Sequence, residues 1–101
     1  MSRITPPNRR PNETFRFEHD GNRYFATVSY SMVNGSPCEV FLTAGKVGSS
    51  LDAMARDAAV VTSLALQHGT SLTTLRAAMT RLDDGNPAGP MGALLDLVEG
   101  A

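Results

Sequence analysis

The apolar residues of this chain change period at Gly45, and that change decides what the chain can fold into. Before Gly45 they recur at every second position, and after it at every third or fourth. A period of two belongs to a strand with one buried face, and a period near 3.6 to a helix. The segment Thr14–His19 alternates strictly, with Phe15 and Phe17 on one face and Arg16 and Glu18 on the other. A second run, Arg23–Val33, sets Tyr24, Ala26, Val28, Tyr30 and Met32 on one face, and Thr27, Ser29 and Ser31 on the other. A third, Cys38–Thr43, points Cys38, Val40 and Leu42 one way. Asp20-Gly21 and Asn34-Gly35 separate the runs, and glycine accepts the positive φ that a tight hairpin demands. The prediction is a three-stranded antiparallel meander.

Past Gly45 the signals are those of helices. Ser49 can cap a first helix, with Asp52 placed to reach back from the third helical position. That helix runs to Gln67 and stops at Gly69. Its charges, Asp52, Arg56 and Asp57, lie in the first two turns, and Ala58–Leu66 is apolar or small nearly all round. A helix of that kind is covered on more than one side. Thr70 or Ser71 caps a second helix, on which Leu72, Leu75, Met79 and Leu82 form a stripe. A loop of turn residues, Asp83–Gly89, leads to Pro90, which suits the first position of a last helix bearing Met91, Leu94, Leu95 and Val98. The fold class is therefore α+β: a meander followed by three helices, the first of them central, in a single domain over residues 14–101. Residues 1–13 read as a flexible tail, rich in proline (Pro6, Pro7, Pro11) and carrying Arg3, Arg9 and Arg10.

Composition excludes several classes of function. A net charge of −1 supplies no electrostatic reason to bind nucleic acid or an anionic membrane. No apolar run approaches the roughly 20 residues that span a bilayer. One cysteine, Cys38, forms no internal disulfide, which places the chain in a reducing cytoplasm. A structural zinc site takes about four Cys or His ligands, and Cys38, His19 and His68 stand at unmatched spacings. No metal and no cofactor is expected. Neither is catalysis, since no nucleophile is spaced from a base as a working pair requires. Cys38 follows Pro37 on an apolar strand face and reads as a buried, inert thiol. His68 reads as a capping residue beside Gly69.

Two places remain as candidate sites. The turn Gly45–Ser50 lacks the first glycine of a phosphate-binding loop, Val40 standing there, and has Val47 where the motif places Ser or Thr. It still brings the backbone N–H groups of Gly48, Ser49 and Ser50 near Lys46 at a helix start, an arrangement suited to an anion. The second place is the helix face at Val60 and Leu64, hard to bury in so small a domain. Packing that face against its own copy makes a homodimer.

From Gly35 onward the residues resemble a known family. The run Gly35-Ser-Pro-Cys-Glu-Val-Phe-Leu-Thr-Ala-Gly-Lys-Val-Gly-Ser49, then Thr62-Ser-Leu-Ala-Leu-Gln-His-Gly69, is similar to the TSCPD domain. Asn86-Pro-Ala-Gly-Pro-Met-Gly92 and Leu94-Leu-Asp-Leu-Val98 continue the resemblance, which covers residues 23–99. That domain occurs near the C-terminus of cobalamin-dependent (class II) ribonucleotide reductases and as small separate proteins. Several members carry extra cysteines around it, whereas this chain has Ser49 and Ser50 near the helix start and one cysteine overall, so a metal or redox role does not transfer. The resemblance implies a non-catalytic interaction or regulatory module with a protein partner in nucleotide metabolism, accessory to ribonucleotide reduction. The alternatives are a small-anion or nucleotide binder using the Gly45–Ser50 turn, and a reductase subunit acting in trans.

Overall fold

The computed structural model describes residues 11–46 and 48–100. Three strands, β1 (Asn12–His19), β2 (Asn22–Tyr30) and β3 (Pro37–Ala44), precede three helices, α1 (Ser50–Gln67), α2 (Leu72–Ala78) and α3 (Pro90–Gly100). The sheet is antiparallel, in the order β1-β2-β3. The tail expected at the N-terminus lies outside the described residues as far as residue 10. β1 begins at Asn12, two residues ahead of Thr14, because β2 is long enough to pair Asn12 with Ser29.

The first hairpin closes at His19 and Asn22, with Asp20 at φ 52° and Gly21 at φ 79°. Two left-handed central residues make the turn whose twist matches the flanking strands. The second connection corrects the sequence reading. β2 stops at Tyr30, and the ladder shifts register there: Ser29 faces Glu39 while Tyr30 faces Pro37, leaving Cys38 as an extra residue in β3. The Ser31 N–H donates to the Ser36 carbonyl, the Gly35 N–H to the Ser31 carbonyl, and Gly35 adopts φ 71°. Met32, which strict alternation assigns to the buried face, therefore stands in a loop and is 64% exposed.

The core joins the inner face of the sheet (Tyr24, Ala26, Val28, Val40, Leu42, Ala44) to Ala55, Ala59 and Leu66 of α1 and Met91, Leu94 and Leu95 of α3. α1 lies along β3 and also touches α3, which reaches β1 as well. The small side chains Ala55 and Ala59 let the α1 backbone approach the sheet closely. Ser49 caps α1 by accepting the Asp52 N–H at 3.1 Å. At the other end Gly69, at φ 100°, donates to Leu66 while Thr70 donates to Ala65, the paired bonds of a glycine-terminated helix.

α2 is shorter than its apolar stripe suggests. It ends at Ala78, and Leu82 leaves the stripe to stand 55% exposed in a small hairpin where Arg81 pairs with Pro87. Backbone bonds from Leu82 to Asn86 and from Ala88 to Thr80 hold that hairpin. The tie that draws Arg81 out of helical register is Asp96 of α3, which accepts its guanidinium at 2.7 and 2.8 Å.

Candidate functional site

The chemistry-bearing side chains of α1 converge on the outer edge of β3. The Asp52 carboxylate accepts the Ala44 N–H at 3.0 Å. The Ser63 hydroxyl accepts the Val40 N–H at 2.8 Å and donates to the Val40 carbonyl at 3.0 Å. The Gln67 amide donates to the Cys38 carbonyl at 2.9 Å. From Cys38 to Ala44 a strand rises about 20 Å, and from Asp52 to Gln67 a helix rises about 22 Å. The two elements thus run antiparallel in near-matched lengths, bonded at both ends, with Ser63 one turn in from Gln67. Polar residues at 52, 63 and 67 fall on one helix face, because eleven residues make three turns and four make one. That spacing is present in the sequence, although locally Asp52 reads only as a cap and nothing near Ser63 or Gln67 marks them as partners of β3.

The same carboxylate governs the Gly45–Ser50 turn. Gly48, at φ 81°, donates its N–H to Asp52 at 3.3 Å, and Arg56 donates to Asp52 at 2.9 Å. The Ser49 hydroxyl also donates to the Lys46 carbonyl at 2.7 Å. Lys46, Gly48, Ser49 and Ser50 lie in one turn, and an external anion at Gly48 competes with Asp52. The Arg56 guanidinium, foremost, and the N–H groups of Gly48 and Ala44 hold the Asp52 carboxyl below the usual carboxylate range against its burial.

Flanking the polar row of Asp52, Ser63 and Gln67, α1 leaves apolar side chains in solvent. Val60 is 58% exposed, Val61 66% and Leu64 38%. Val60 and Leu64 line a groove of about 480 Å³ together with Phe41, Glu39, Thr43 and Arg56. A wider cleft, about 680 Å³, opens between the first hairpin and α3, bounded by Phe17, His19, Asp20, Leu82 and Asp96. Arg81, foremost, and Arg76 hold the Asp96 carboxyl well below its ordinary value, so it serves as an anchor between α2, the small hairpin and α3. Cys38 is buried, His19 ends β1 and His68 is the C-cap residue of α1. Among the described residues no group of three or more His, Cys, Asp or Glu is arranged to hold a metal ion. No helix among them is long and apolar enough to cross a membrane.

Compared with known families, the chain matches the family model of the TSCPD domain over residues 2–98. No curated protein and no solved structure matches it.

Proposed function

This chain belongs to the TSCPD domain family, and from that premise we propose that it is an interaction or regulatory module accessory to ribonucleotide reduction or nucleotide metabolism. The residues do not make a reductase active site. Ribonucleotide reduction needs a radical-bearing thiol and a redox-active pair, and the chain has one cysteine, buried on an open three-stranded sheet. What it offers instead is surface. The observation that carries the reading is the solvent-facing apolar stripe of α1 at Val60, Val61 and Leu64, continuous with Phe41.

The purified chain, immobilised and exposed to a cobalamin-dependent ribonucleotide reductase with and without nucleotides, is expected to retain that enzyme or to change its rate. Absence of both effects overturns the reading. So does ribonucleotide turnover by the chain alone with cobalamin and a dithiol, abolished by Cys38→Ser. Titration with phosphate and nucleoside triphosphates tests the anion-binding alternative. If Asp52 holds the Gly48 N–H against added anion, the amide signals of Gly48, Ser49 and Ser50 stay in place.

A further inference from the structure

α1 departs from the usual arrangement of a surface helix, since beside its core residues Ala55, Ala59 and Leu66 it also buries polar side chains. Its polar side chains Asp52, Ser63 and Gln67 are buried against β3, and Val60, Val61 and Leu64 face solvent. An ordinary surface helix does the opposite. With Ser63 and Gln67 committed to the strand edge beside the buried Ala55, Ala59 and Leu66, Val60, Val61 and Leu64 are left outward, and contiguous apolar surface marks an interface.

The charges at the two ends of the groove say what fits it. Glu39 and Arg56 both line it, with Phe41, Val60 and Leu64 between them. Because β3 and α1 run in opposite directions, Glu39 lies level with the Ser63–Gln67 end of the helix. Arg56 lies roughly two turns nearer the helix start. A groove with an acid at one end, a base at the other and an apolar centre is complementary to itself after rotation by half a turn.

We infer that its occupant is a second copy of this chain. This rests on the reading of the protein as an interaction module and specifies one of its partners. Two copies pack α1 against α1 antiparallel, about a two-fold axis beside Val60 and Val61. Arg56 of one copy then approaches Glu39 of the other. The Nε of Arg56 is bonded to Asp52, but its side chain is 53% exposed and the guanidinium carries further donors. A parallel pairing would set Arg56 against Arg56 and Asp57 against Asp57, with the helix dipoles aligned; the antiparallel one opposes the dipoles. The contact is between helices and not between strands, since Val40, Leu42 and Ala44 along the β3 edge are at most 2% exposed.

Sedimentation equilibrium and crosslinking on the full chain decide the matter. The wild type is expected at twice its mass of 10.7 kDa. Val60→Glu is expected to be monomeric with an unchanged circular dichroism spectrum, because that position is already exposed. Glu39→Arg is expected to loosen the dimer, as is added salt. Should Val60→Glu fail to fold, Val61→Cys still tests the axis: mild oxidation links it into covalent dimers, while Met54→Cys, far from the axis, stays unlinked. A monomeric wild type, a Val60→Glu protein that remains dimeric, or linkage through Met54→Cys in place of Val61→Cys overturns the dimer. A wild-type monomer that still captures the reductase sinks the dimer and leaves the module reading standing. A dimer of the stated geometry that captures nothing does the reverse.

Discussion

The Ser63 hydroxyl stands in for a neighbouring strand residue at Val40, satisfying both its N–H and its carbonyl with one oxygen atom. In an antiparallel ladder a directly opposite residue does the same with two backbone groups. Ser63→Ala leaves both Val40 groups buried without a partner, and an unsatisfied buried group costs about 1–3 kcal/mol. Urea unfolding of Ser63→Ala is expected to show a loss in that range, larger than for Ser50→Ala on the exposed first turn. Equal losses would remove Ser63 from its role.

Acid should unfold this protein through two carboxylates. Asp52 and Asp96 are both held below the ordinary value, the first chiefly by Arg56 and the second chiefly by Arg81. A carboxyl with a lower pKa folded than unfolded contributes stability that is present above the unfolded pKa, roughly 3.9, and is lost as pH falls through the folded value. The thermal midpoint is expected to be level near neutrality and to drop below about pH 4. Asp52→Asn and Asp96→Asn each flatten part of that drop. A wild-type midpoint level into strong acid would show that neither ion pair matters to folding.

Gly92 sets two effects of known size against each other. Alanine in a helix gains about 0.8–1.0 kcal/mol over glycine. At this position a Cβ would meet the Pro87 Cβ at 3.1 Å and the Met79 Cβ at 3.3 Å. Overpacking costs about 1–3 kcal/mol, and neither neighbouring atom is the free end of a side chain. Gly92→Ala is therefore expected to destabilise the fold by about 1 kcal/mol on chemical denaturation. A gain in stability would show that α3 can slide away from the small hairpin.

Tyr30 provides an alkaline counterpart. Burial, and then the hydrogen bond to Glu13 and its charge, push the phenol up to about 12. A group whose folded pKa is raised contributes stability that is present below the unfolded value, about 10, and is lost as pH rises through the folded one. Near-ultraviolet phenolate absorbance should accordingly appear late, and Glu13→Gln should bring it earlier. Coincident titrations of the two proteins would mean that the Glu13 bond is not made in solution.

What the sequence made legible is what neighbours along the chain decide. The alternation of Phe15 and Phe17, the turn at Asp20 and Gly21, the cap at Ser49 and the stop at Gly69 are local choices, and the structure keeps them. Pro90 likewise opens α3 with Leu94 and Leu95 buried. The misses are long-range. Met32 left its strand because Cys38, on the partner, shifted the register. Leu82 left its stripe because Arg81 is held by Asp96, fifteen residues on. The exposure of Val60 and Leu64 was legible in the all-round apolar run of α1, but the inward turn of Ser63 and Gln67 to partners 23 and 29 residues away was not, since no local window contains it.

The closing of the β3 edge has a consequence for the chain as it is being made. Its four bonds join three residue pairs 8, 23 and 29 apart, so everything needed lies in the stretch that leaves the ribosome straight after β3. A nascent meander with a bare edge can recruit a neighbouring nascent chain and polymerise. Here that hazard ends when α1 folds onto β3, a step that needs neither α2 nor α3. The last third of the protein is thereby released from guarding the sheet, and later loosening of α2 or the small hairpin leaves no strand edge bare on that side.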